Sequence, residues 1–230
     1  DIGKGSVKVY FTLYGGEVPV HSDIEAVVRR VDIARFVKGQ PMLEKTAGEF
    51  NGRVKMTSTG TSVAGILGSA NGEMMLVLSE GQFSQLLVEL MGLDIAESLG
   101  FLVEGDKPVP VRCIVADFVA RNGIFEPRTL LFDTTDTKVV GSGTINMQTE
   151  SLDLRIKPYP KDFSPLTLRT AISVQGTFAN PQAFPDPADI GVDNTLKKVL
   201  NGVLTVVTGL LPPIDTGGGE DAPCQDLINQ

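Results

Sequence analysis

The stretch VVGSGTINMQTESLDLRIKPYPK, residues 139–161, alternates apolar and polar side chains almost without a break. Leu152, Leu154 and Ile156 form one row, and Asp153, Arg155 and Lys157 form the other. Successive side chains on a strand point to opposite faces, so this pattern predicts a strand with one apolar and one solvated face. No catalytic group stands in either row. Gly141 and Gly143 precede the strand two residues apart, on one face, and mark a bulge or a close approach of backbone.

The same period recurs along the chain. Val7, Val9, Phe11 and Leu13 alternate with Ser6, Lys8, Tyr10 and Thr12. Val54 and Met56 alternate with Arg53, Lys55 and Thr57; Met74, Leu76 and Leu78 alternate with Glu73, Met75 and Val77. Ile114, Ala116 and Phe118 oppose Cys113, Val115 and Asp117. Two more strands flank the DTTDT turn at residues 133–137, and TAISVQGTF aligns Ile172, Val174 and Phe178. Short helical patterns lie between them: DIARFVKG, SVAGILGS, QFSQLLVELMG, LDIAESLGFLV and TLKKVLNGVLTVVTGLL. The expected fold is β-rich α+β, a curved antiparallel sheet of amphipathic strands with short capping helices and a C-terminal helix. Three parts are expected: a mixed region over residues 1–108, an antiparallel region over 109–186, and a helix with a loose tail over 187–230.

Composition narrows the function. The 230 residues carry 20 Lys and Arg against 28 Asp and Glu, a formal charge of -8. Phosphate neutralisation needs clustered cations, so nucleic acid is an unsuitable partner. The first thirty residues show no basic segment followed by an apolar run, and the apolar stretch at 199–211 is shorter than the ~20 residues a bilayer requires. The sequence therefore reads as a fragment of a longer protein.

Candidate chemistry dissolves on inspection. His21 is the single histidine and lacks partners at ligand spacing, so neither a metal nor a cofactor is expected. GTSVA at 60–64 departs from a nucleophile elbow at Ala64, and Thr61 or Ser62 reads better as a helix cap. GSGTIN at 141–146 lacks the last glycine and the following helix of a dinucleotide site. Asp133 and Asp136 are read as turn formers. Cys113 and Cys224 allow one pairing, across about 111 residues, which would stabilise by roughly 4 to 5 kcal/mol; a buried thiol and a separate tail thiol are the alternative. No set of residues for catalysis remains.

Four segments carry a resemblance when taken in order: STGTSVAGILGSANGEMML (58–76), LLVELMGLDIAESL (86–99), the long run from VPVRCIVADF through GTFANP (109–181), and GLLPPIDTGGGEDAPCQDLI (209–228). Together they resemble the C-terminal portion of the AsmA family of bacterial envelope proteins, over about residues 31–226. The matches rest on Gly60, Ser62, Gly72, Gly92, Leu93, Asp94, Cys113, Asp133, Thr134, Gly141, Gly143, Gly176, Pro181 and Cys224. Most are glycines and turn formers, which identify a fold and point to no reaction.

The resemblance implies a periplasmic body tethered to the inner membrane through an N-terminal segment absent from this chain, with membrane contact made by parts outside it. It also implies kinship with bridge-like lipid-transfer proteins, whose sheets curl into an open groove. On that reading the partners are phospholipid acyl chains on their way to the outer membrane, and Leu152, Leu154, Ile156, Ile172 and Val174 form part of the apolar wall. The alternative is a structural scaffold that contacts envelope assembly proteins through edge strands or the surface near Lys197 and Lys198.

Overall fold

The structure, a computed structural model, describes residues 5–16, 18–35, 46–84, 108–161, 170–186, 188–189 and 219–228. It is dominated by one antiparallel sheet whose ten strands lie in chain order. They are β1 (Ser6–Tyr14), β2 (Val20–Asp32), β3 (Ala47–Gly60), β4 (Asn71–Ser84), β5 (Pro108–Arg121), β6 (Ile124–Thr134), β7 (Thr137–Asn146), β8 (Ser151–Pro160), β9 (Ile172–Thr177) and β10 (Asn180–Pro185). Each pairs with its sequence neighbours, so β1 and β10 are the two edges. One sheet thus draws its strands from both sides of residue 108.

The opening stretch is the β7–β8 hairpin. Its register sets Gly143 opposite Leu154 and Gly141 opposite Ile156. Asn146 closes the turn, its Oδ1 accepting from the N–H groups of Gln148 at 2.9 Å and Thr149 at 3.0 Å. A short polar side chain that satisfies its own backbone is what such a turn needs. At the DTTDT turn Thr134 does this work, with Oγ1 accepting from Thr137 N–H at 2.9 Å and donating to Thr137 O.

Two short helices are described, α1 (Val63–Gly68) and α2 (Cys224–Ile228). Ser62 caps α1, its side chain accepting from Gly65 N–H at 3.1 Å. Of the expected helix DIARFVKG, Asp32 ends β2 and Ile33–Arg35 form a 3-10 turn, and residues 36–39 lie outside the described residues. The start of QFSQLLVELMG is strand, since β4 continues through Ser84 paired to Pro108. Its later residues, LDIAESLGFLV and the C-terminal helix TLKKVLNGVLTVVTGLL lie outside the described residues. Two strands carry no clean alternation. β2 contains a bulge between Val28 and Val31, with Arg30 at φ 46, and β10 contains Pro181 and Pro185.

Strand connections at one end of the sheet are short and bonded to each other. Gly123 N–H donates to Ala70 O at 2.9 Å, Met147 N–H to Gly123 O at 2.9 Å, and Phe178 N–H to Glu150 O at 2.8 Å. Ala70 and Met147 there close an apolar cluster of Met56, Phe118, Ala120 and Phe125. The longer connections β2–β3, β4–β5 and β8–β9 leave from the other end.

Candidate functional site: an apolar sheet face

Register assigns every strand side chain to one of two faces. One row crosses the whole sheet as directly opposed residues: Val7, Val28, Gly52, Leu76, Ala116, Leu130, Gly141, Ile156, Ile172 and Pro185. It contains no polar side chain. With strands about 4.8 Å apart, nine steps make it about 43 Å long. Shifted by one residue, the row reads Lys8, Val27, Arg53, Met75, Asp117 and Thr129 over the first six strands.

The five residues expected as an apolar wall fall together on the first of these faces. Leu154 opposes Val174, Ile156 opposes Ile172, and Leu152 opposes Gly176. All five are half-buried. Ile156 joins a cluster with Phe83, Val109 and Phe132 around buried Val139, and the Phe83 and Phe132 rings meet edge to face at 6.0 Å. Exposure grows toward the β1 edge, where Val9 is 59% and Leu13 54% exposed.

Every glycine within the described strands lies on this same face: Gly48, Gly52, Gly60, Gly72, Gly81, Gly141, Gly143 and Gly176. Two show why. A Cβ on Gly72 would stand 2.1 Å from Lys55 O, and one on Gly143 would stand 2.1 Å from Asp153 O. Their φ values are +144° and +117°, in the region that side chains disfavour. At these two positions the backbone of the paired strand therefore lies closer than a side chain permits.

The opposite face carries ion pairs. Arg128 bridges Asp117 at 2.7 Å and Glu73 at 3.1 Å. Arg155 and Lys157, expected as solvated, instead hold the chain as it leaves β10. Arg155 pairs with Asp186 and Asp189, and Lys157 stands 3.4 Å from Asp189. The N–H of Ala188 and the Arg155 guanidinium hold the Asp186 carboxyl below its ordinary range. The N–H of Ala171 does the same for Asp189.

Asp133, read from sequence as a turn former, is fully buried at the end of β6. Arg112 Nε lies 3.1 Å from it and Lys161 Nζ 2.7 Å. Nothing local could have revealed this, because its two cations come from β5 and from the residue after β8. Cys113, beside it on β5, forms a disulfide with Cys224 with a Cα–Cα distance of 5.9 Å.

The His21 ring lies 5.4 Å from that of Tyr14, tilted by 45°, and His21 stands 3.4 Å from Asp23. Tyr14 hydroxyl donates to Asp23 at 2.8 Å, which pushes its pKa up. Among the described residues no group of three or more His, Cys, Asp or Glu is placed to hold a metal, and no helix is long and apolar enough to cross a membrane.

The sequence profile described as the AsmA family matches residues 2–130. AsmA family protein YhjG of Escherichia coli (strain K12) is 30% identical over 226 residues, which cover 98% of this chain and 33% of that protein. The chain thus spans about a third of the length of the curated relative it matches. No solved structure matches it. A profile match over more than half of the chain places it: this chain belongs to the AsmA family.

Proposed function

We propose that this chain is a periplasmic, non-catalytic part of an envelope protein and that its apolar sheet face carries phospholipid acyl chains, the sheet curling around them as an open groove. The observation that carries this reading is the apolar row opposed residue by residue across all ten strands, with the strand glycines on the same side. Glycines on that side leave it with little side-chain bulk.

The energetics favour such a surface. Each buried CH2 is worth about 0.8 kcal/mol, so a sixteen-carbon chain crossing water unprotected costs roughly 12 kcal/mol. An apolar wall removes most of that cost while leaving the headgroup free. A ten-residue strand such as β8 extends about 33 Å, comparable with the length of one lipid. Binding of this kind is sequence-tolerant, needs no reacting group, and tolerates movement along the wall.

On this reading the protein supports supply of phospholipid to the outer membrane. The test is lipid analysis of the chain purified without detergent from a Gram-negative host. Phospholipid is expected to co-purify in stoichiometric amount, and a Leu154→Asp, Ile172→Asp double variant is expected to lose it. Lipid-free protein from repeated preparations overturns the reading and favours a scaffold for envelope assembly proteins.

A further inference from the structure

The polar face carries one apolar island. Val77, Val115 and Leu131 are directly opposed on β4, β5 and β6, and Met75 and Cys113 adjoin them. The C-terminal segment 219–228 covers it, Ala222 buried within the cluster and Cys224 and Leu227 packed against it. The same face carries charged residues beside the island, Glu73, Asp117 and Arg128 among them, and the segment covers the apolar part.

Charge is matched as well. Without the segment, the rim of the island holds Arg112 and Lys161 against Asp133, an excess of one positive charge. The segment supplies Asp221, 3.0 Å from Arg112 and 2.6 Å from Lys161. It also donates Ala222 N–H to Asp133 at 3.2 Å and Gly219 N–H to Pro160 O at 2.9 Å. An acidic residue followed by small apolar ones is thus read by three separate devices.

The segment has little order of its own. α2 has 5 residues, far below the ~12 that an isolated helix needs. The β4–β5 and β5–β6 pairings are made without any residue of the segment. Cys113 is fully buried, whereas Cys224 is only partly covered.

We propose that residues 219–228 are a redox-released strap, held by the Cys113–Cys224 disulfide over a docking site for an acidic-then-apolar peptide on β4–β6. A dithiol reductant supplies the chemistry. Its thiolate attacks Cys224 Sγ, forming a mixed disulfide and expelling the Cys113 thiolate, which takes up a proton. The second thiol of the reductant then resolves the mixed disulfide and becomes oxidised, leaving Cys224 as a thiol. Two electrons and two protons end on the cysteine pair, and the strap is free to leave.

Hydrogen exchange on the whole chain, folded first and then reduced, tests this. Exchange of the 219–228 amides should accelerate at least about tenfold and approach that of an unfolded peptide, while β4–β6 amides remain protected, the native sheet persisting without the strap. Cys224→Ala should reproduce the reduced pattern without any reductant. If that variant does not fold, reduction of the folded wild type still decides the matter. Unchanged exchange in the strap shows that the disulfide is no catch and overturns the proposal. Lost protection throughout β4–β6 also overturns it, because the bridge would then be a staple of the fold.

Discussion

Replacing Gly143 by Ala tests the close approach of the paired β8 backbone. The new Cβ would lie 2.1 Å from Asp153 O and 2.9 Å from Leu154 Cα, both backbone atoms of the paired strand. Neither can yield without opening the β7–β8 ladder. A non-glycine residue held at φ +117° costs about 1–3 kcal/mol, and overpacking adds about 1–3 kcal/mol, for a sum of about 2–6 kcal/mol. Gly141, two residues away on the same face, offers an internal comparison. Its added Cβ meets Leu130 Cδ2 at 2.4 Å, the end of a side chain that can rotate, and the cost should stay near 1 kcal/mol. Gly15, with no atom within 4 Å of its added Cβ, should change stability by less than about 0.5 kcal/mol. Urea unfolding of the three variants with the disulfide intact gives the order directly. If Gly143→Ala falls no further than Gly141→Ala, the backbone contact is not a constraint and the argument from glycine placement fails.

Other perturbations follow from the polar face and the helix cap. Asp133→Asn removes the carboxylate shared by Arg112 and Lys161 and should cost about 3 kcal/mol in urea unfolding; Asp221→Asn, with a side chain 55% exposed, should cost less than about 1 kcal/mol. Asp186 and Asp189 have carboxyls held below their unfolded values, so their contribution is complete above about pH 4 and is lost as pH falls through the folded values. Stability should therefore decline below about pH 4, and an Asp186→Asn, Asp189→Asn double variant should show a flatter slope there. Ser62→Ala should cost about 1 kcal/mol by removing the bond to Gly65 N–H, read as faster exchange of the α1 amides.

The sheet was legible wherever alternation is uninterrupted. Leu152, Leu154 and Ile156 on β8, and Val7 to Leu13 on β1, declare their faces because period two is the geometry of the strand itself. β2 was hidden by its bulge, where the register slips between Val28 and Val31 and the pattern changes phase. β10 was hidden by Pro181 and Pro185, tolerated because an edge strand can leave N–H positions unpaired. The glycines were visible, but their shared face was not, since it follows from register across strands distant in sequence.

The polar face was least legible. Asp133 looks like half of a turn until Lys161 and Asp221 are brought to it by the fold. Arg155 looks solvated until the chain beyond β10 returns to meet it. A long-range ion pair leaves no mark on local sequence, whereas an apolar row marks every second residue.

The central claim is that lipid lies against one face of the sheet and not the other, and neighbouring residues on β8 separate the two. A photoreactive side chain placed at Leu154 is expected to crosslink phospholipid in cells, read as a mass increase of the purified protein. The same group at Asp153, one residue away on the opposite face, is expected to give none. Equal labelling at both positions, or none at Leu154, would contradict the account.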